Sequence, residues 1–127
     1  KIHILTDAIG LPVDFVLTGG QRHDSSQADT LLARQPADFD FVIADKGYDF
    51  VHVREQIEQQ GAIPVIPERR NRLQPNWYDR HLYQERHVIE CFVNKIKHYR
   101  HIFARFDKLV TRYLSFLYFV STLIWLR

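Results

Sequence analysis

The sequence predicts an α/β domain that opens in short strands and closes in helices. Three observations carry the prediction. Two β-rich runs flank Gly10 and Pro12, and an unbroken apolar run, Phe41–Ala44, stands between helical segments as a buried strand does. From about Asp79 onward, apolar residues recur at helical pitch. With 127 residues and 46% hydrophobic content, residues 1–127 make at most one domain with a modest core.

Ile2–Thr6 and Val13–Leu17 read as a hairpin, ended by Gly19-Gly20. Ser25 or Ser26 is the expected cap of a short helix through Leu31-Leu32-Ala33. Phe41–Ala44 is expected to be buried on both faces. A helix follows from about Val51 to Gln60 and is stopped by Gly61. Ala62–Ile66 reads as an edge strand, because Pro64 cannot donate into a central ladder. Residues 67–78 form a basic, proline-containing loop. One long helix is expected from about Asp79 to Ala104, and a terminal helix from about Lys108.

Charge is divided unevenly. Residues 1–68 hold 5 Lys+Arg against 11 Asp+Glu, and residues 69–127 hold 12 against 4. The halves are therefore −6 and +8, which make the net +2 of the whole. A basic half of this kind suits a polyanionic partner. The single cysteine, Cys91, excludes an internal disulfide and fits a reducing compartment. No basic-then-apolar leader opens the chain, so the expected location is cytoplasmic. The apolar tail Tyr113–Leu126 spans about 21 Å as a helix, short of the ~30 Å hydrocarbon core, so no membrane is expected as a partner. It reads as a buried or partner-facing helix.

Tyr83, Arg86, Glu90 and Lys97 are spaced Tyr-x2-Arg-x3-Glu-x6-Lys. At roughly 100° per residue they share a polar stripe about 60° wide. Val88, Phe92, Ile96, Tyr99 and Phe103 cluster on another side as the core face. A carboxylate between cations suits metal-assisted chemistry on a phosphate backbone. The plainer reading is a solvated face with Arg86 and Glu90 as an i,i+4 pair. Asp45 follows the Phe41–Ala44 strand, where sites of open α/β sheets collect; otherwise it is a turn residue. Asp45 and Glu90 together would bind a hard cation, Mg²⁺ or Mn²⁺, through oxygen. Arg86 and Lys97 would position phosphates, and Tyr83 would hydrogen-bond or stack. Arg69, Arg70 and Arg72, followed by Trp77 and Tyr78, form a basic loop with aromatics, or an ordinary exposed turn. Lys95, His98, Arg100, His101, Arg105 and Lys108 extend the positive surface. His23-Asp24 is either a site-supporting pair or a plain turn. His87, Cys91, His98 and His101 share a side, but no CxxC pair supports zinc.

The four spaced residues resemble the C-terminal signature of insertion-sequence transposases with an Asp-Asp-Glu (DDE) catalytic centre, of the IS4/IS5 type and its IS5-like branch. The resemblance extends to Lys1–Gly10, Gly19–Asp24, Ala44-Asp45-Lys46-Gly47-Tyr48-Asp49 and Ile66–Arg72. It implies a ribonuclease H-like fold with C-terminal helices, Asp45 and Glu90 as catalytic metal ligands, and DNA (transposon ends and target) as the partner. It also implies a homo-oligomer in the full-length protein and a bacterial, nucleoid-associated location. In this family the first aspartate sits on a strand upstream of the Lys-Ile-His segment, and Asp7 does not replace it. The expectation is therefore the C-terminal part of a catalytic domain, lacking its first strand and inactive by itself. The alternatives are an inactive DNA-binding remnant of a decayed or split transposase, or an assembly module built on the terminal helix.

Overall fold

Gly10 turns the first hairpin. Its φ of 85° lies in the left-handed region, and a Cβ there would stand 3.2 Å from both Cβ and O of Val88. Asp7 organises the same turn: its Oδ1 accepts from the amides of Ile9 at 3.0 Å and Leu11 at 2.8 Å. The structure, a computed structural model, describes residues 1–36, 38–103 and 109–127, the side chains of His101 and Phe103 excepted. It divides into two compact units, Lys1–Gly19 with His87–Arg127, and Gly20–Arg86.

In the first unit, β1 (Ile2–Thr6) pairs antiparallel with β2 (Pro12–Leu17), from Ile2 opposite Leu17 to Thr6 opposite Pro12. The helices here are α4 (His87–Lys97), α5 (Arg100–Phe103) and α6 (Val110–Trp125). Along α6, Tyr113, Leu117, Val120 and Ile124 are buried, the i, i+4, i+7, i+11 pattern of one helix face. They close a core with Phe15, Phe92, Ile96 and Ile102. Phe15 stacks edge-on against Tyr118, with centroids 5.5 Å apart, and lies 6.1 Å from Phe92. Buried polar groups are paired: Asp14 accepts from Tyr118 OH at 3.0 Å, and Tyr113 OH donates to the Ile102 carbonyl at 3.1 Å. The indole of Trp125 donates to the Pro12 carbonyl at 2.6 Å.

The second unit is built on a parallel β-α-β step. The strand β3 (Phe41–Ile43) leads through α2 (Val51–Gln59) to β4 (Ile63–Val65), with Phe41 opposite Ile63 and Ile43 opposite Val65. Before it stands α1 (Ser25–Ala33), and after it α3 (Arg80–Tyr83). Ala28, Leu32, Val53, Ile57, Ala62 and Ile66 form its core. Gly61, at φ 81°, follows the last turn of α2 and reverses the chain, as its position in the sequence predicts.

Several expectations need correction. The cap position of α1 is Asp24; Ser25 and Ser26 are its first residues, and Ser26 Oγ instead donates to the His23 carbonyl. β3 is not buried on both faces: Phe41 is 45% exposed, because the sheet holding β3 has only two strands among the described residues. β1–β2 and β3–β4 are separate two-stranded sheets. The long helix is interrupted by a 3₁₀ turn at Gln84–Arg86 and again at His98-Tyr99. There His98 N and Tyr99 N bond back three residues, to Lys95 and Ile96, tightening the end of α4. Of the expected core face, Phe92 and Ile96 are buried and Val88 and Tyr99 half-buried; the Phe103 side chain, Ala104, Arg105 and Lys108 lie outside the described residues. Among those residues no helix is long and apolar enough to cross a membrane.

Leu117→Ala, in the centre of the first core, should lower unfolding stability by about 2–5 kcal/mol in a urea titration. Phe119→Ala, on the opposite face and 58% exposed, should stay within about 0.5 kcal/mol of the parent.

Candidate active site

The β3–β4 ladder runs one residue beyond β3, with Ala44 N donating to the Val65 carbonyl at 3.2 Å. Asp45 comes next, at the carboxyl end of a parallel strand. Its backbone is extended (φ −77°, ψ 170°), and it caps the 3₁₀ turn Lys46–Tyr48 through Oδ1, which accepts from Gly47 N at 2.8 Å. Oδ2 faces Arg86, whose Nη2 lies 3.9 Å away. Both groups are partly exposed, so the pair is a weak, screened one rather than a structural bond. Gly47 has to lack a side chain here. A Cβ would stand 2.8 Å from Asp45 Oδ1 and 3.3 Å from Asp24 Oδ2, so two carboxylates close on one bare Cα.

Four residues further on, Asp49 is buried and fully engaged. Its Oδ1 accepts from Arg54 Nε at 2.9 Å and from Arg72 Nη1; its Oδ2 accepts from the Arg69 amide at 2.9 Å. Arg54 also donates to the Ile66 carbonyl at 2.6 Å. The Arg69 guanidinium lies over the Phe50 ring, 4.2 Å from its centroid. Arg72 and Arg69, expected at a polyanion surface, are thus also tied into the fold, although Arg69, like Arg70, is exposed.

Tyr83 packs edge-on against Tyr78, with centroids 5.8 Å apart. In the first unit, Glu90 is exposed in the opening turn of α4 and Lys97 exposed in its last, each at the helix end its charge favours. Within the second unit the structure brings Asp45 to Arg86 and adds Asp24 and Tyr48 beside them. Among the described residues, no three His, Cys, Asp or Glu side chains converge as a metal-holding group. Sequence reasoning missed Tyr48, Asp49 and Arg54. The Asp49–Arg54 spacing was a weak signal; nothing local joined Asp49 to Arg72.

The chain matches the family described as "Transposase DDE domain" over residues 1–118. It belongs to that family. At 39% identity it is similar to a protein assigned as transposase for insertion sequence element IS6501 of Brucella ovis, covering 100% of this chain and 98% of that relative. A second relative, assigned as transposase for element IS402 of Burkholderia cepacia, is 30% identical over 85% of this chain. The chain spans about half of that relative, 54% of its length. No solved structure matches.

In this DDE transposase domain the Tyr48 phenol is held protonated well above its ordinary range. Burial is the main cause, and the charges of Asp24 and Asp45 add to it. A raised folded-state value means that the unfolded chain gives up this proton first. The contribution of Tyr48 to stability is therefore complete below about pH 10 and is lost as pH rises beyond it. Tyr48→Phe should remove this part of the alkaline loss. Its midpoint in urea should fall less steeply than the parent's between about pH 10 and 11.5, with little difference in slope near pH 7.

Proposed function

We propose that the chain is the C-terminal portion of a DDE transposase catalytic domain of the IS5-like branch. When complete, that domain would catalyse metal-dependent DNA strand cleavage and strand transfer. The family match over residues 1–118 is the observation that carries this reading. Asp45, rigidly capped at a strand end with one oxygen turned to a cation, adds to it. The fold would be ribonuclease H-like without its first strand; an antiparallel hairpin in one unit and a parallel β-α-β step in the other are pieces such a fold contains.

Oxygen donors of aspartate and glutamate fit a hard divalent ion, so Asp45 and Glu90 would hold Mg²⁺ or Mn²⁺. Such an ion supplies Lewis acidity to a phosphodiester oxygen. Arg86 would move from its weak pairing with Asp45 to a phosphate, Lys97 would hold another, and Tyr83 would support the strand by hydrogen bonding or stacking. The partner would be DNA, transposon ends and target alike. The apolar outer face of α6, with Phe119 and Trp125 exposed, would serve assembly into a homo-oligomer.

Purified chain with Mg²⁺ should leave transposon-end DNA uncut. Supplying the upstream strand with its aspartate should restore nicking, and Glu90→Ala should return it to background. Cleavage by the chain without that strand, lost in Glu90→Ala, would show the triad misassigned. Failure to cut even with the strand would favour an inactive remnant.

Binding should depend on salt. With about four to six phosphates neutralised, log K should fall against log salt with a slope near −4 to −5. Arg70→Ala should make that slope shallower by about one unit. Arg72→Ala should instead lower folding stability by about 3–5 kcal/mol, because it strips one partner from a buried carboxylate.

A further inference from the structure

The turn between β1 and β2 is bonded more closely than reversing a hairpin requires. Besides the two amides taken by Asp7 Oδ1, Asp7 N donates to the Leu11 carbonyl at 2.9 Å and Gly10 N to the Asp7 carbonyl at 3.1 Å. Leu11 packs against the first core. The strand that follows is tied to α6 at Pro12 by the Trp125 indole and at Asp14 by the Tyr118 hydroxyl. This fixed turn abuts α4 through the bare Cα of Gly10. A Cβ there would meet Val88 Cβ and the Val88 carbonyl oxygen, each at 3.2 Å, and neither is the far end of a flexible side chain.

Val88 lies in the first turn of α4, two residues before Glu90. At roughly 100° per residue, Glu90 stands about 200° around the helix from Val88. The hairpin turn therefore bears on the back of the helical turn whose front carries Glu90 to solvent. We propose that Gly10 is a positioning residue for Glu90, with Asp7 holding Gly10 in place. The absent side chain sets how closely the first turn of α4 approaches the hairpin, and so where the candidate metal carboxylate stands within its unit. A methyl group at Gly10 has to push Val88 back by a few tenths of an ångström. Catalytic groups need placement within about 0.5 Å, and a misplacement of about 1 Å costs about a hundredfold. The proposal rests on the reading of Glu90 above and adds what fixes that residue.

Gly61 supplies the control. Its φ of 81° matches the 85° of Gly10, but among the described residues nothing beyond its chain neighbours comes within 4 Å of a Cβ there. Gly61→Ala thus carries the backbone strain without the close contact. In protein completed with the upstream strand, Gly10→Ala should cut Mn²⁺-dependent nicking about tenfold and raise the Mn²⁺ concentration for half-maximal rate; Gly61→Ala should stay within about twofold in both. A second readout needs no activity. A nitroxide on Cys91, the single cysteine, exposed and next to Glu90 in α4, reports on the same helical turn. Its lineshape should change in Gly10→Ala and in Asp7→Ala, which strips the turn of two bonds. It should match the parent in Gly61→Ala and in Asp7→Asn, whose amide oxygen can still accept from both amides. If Gly10→Ala does not fold, as melting would show, the two Asp7 variants decide. A parent-like lineshape in Asp7→Ala, or equal loss of nicking in Gly10→Ala and Gly61→Ala, overturns the positioning role. If Glu90→Ala nicks as the parent does, the metal-ligand reading of Glu90 fails instead, and the lineshapes still decide whether Gly10 sets the turn.

Discussion

A carboxylate with 1% of its side chain exposed has to be met by hydrogen-bond donors and opposite charge, and Asp49 sets that demand in the second unit. Burying an ion costs several kcal/mol before pairing, so the answering groups have to be well placed. Arg54 answers from α2, three residues into the helix, and its Nη2 donates to the Ile66 carbonyl just past β4. Arg72 answers from 23 residues away. The helix, the strand end and the loop are therefore held by a single anion. Removing it would leave two arginines with unmet donors, not merely delete one contact.

Asp45 and Asp49 flank the same 3₁₀ turn but face opposite requirements. Asp49 is spent on structure, whereas Asp45 uses one oxygen for its cap and keeps the other turned toward a partly exposed arginine. A carboxylate fixed through one oxygen holds its rotamer while the second remains able to exchange partners. Gly47 makes the arrangement possible, since any side chain there would strike Asp45 and crowd Asp24. The raised Tyr48 proton affinity comes first from burial of the phenol, and the two carboxylates beside it, Asp24 and Asp45, add to it.

Much of the fold was legible because local chemistry set it. Gly10 and Gly61 mark reversals that need positive φ, Pro64 sits in a strand with a partner on one side, and the periodicity of α6 appears as its buried face. The long helix was misjudged because periodicity does not register a short 3₁₀ turn. Residues 84–86 keep helical composition while their hydrogen bonding changes. A wheel drawn at one constant angle from Tyr83 to Lys97 therefore overstates how regular that stripe is. The candidate site was legible in residue types and only partly in partners. Asp45 and Arg86 could be singled out from spacing, but the pairing of Asp49 with Arg72 depends on tertiary closure that no local pattern encodes.

That closure also changes the meaning of the charge asymmetry. Counted along the sequence, residues 69–127 carry +8, as if every cation faced a polyanion. Arg72 neutralises a buried acid of the other half, and the Arg69 guanidinium rests on an aromatic face. Arg72 is thus consumed in holding the loop, while Arg69 and Arg70 both stay exposed. What the loop gains in return is shape. Two large apolar side chains, Leu73 and Trp77, stand exposed on an anchored backbone.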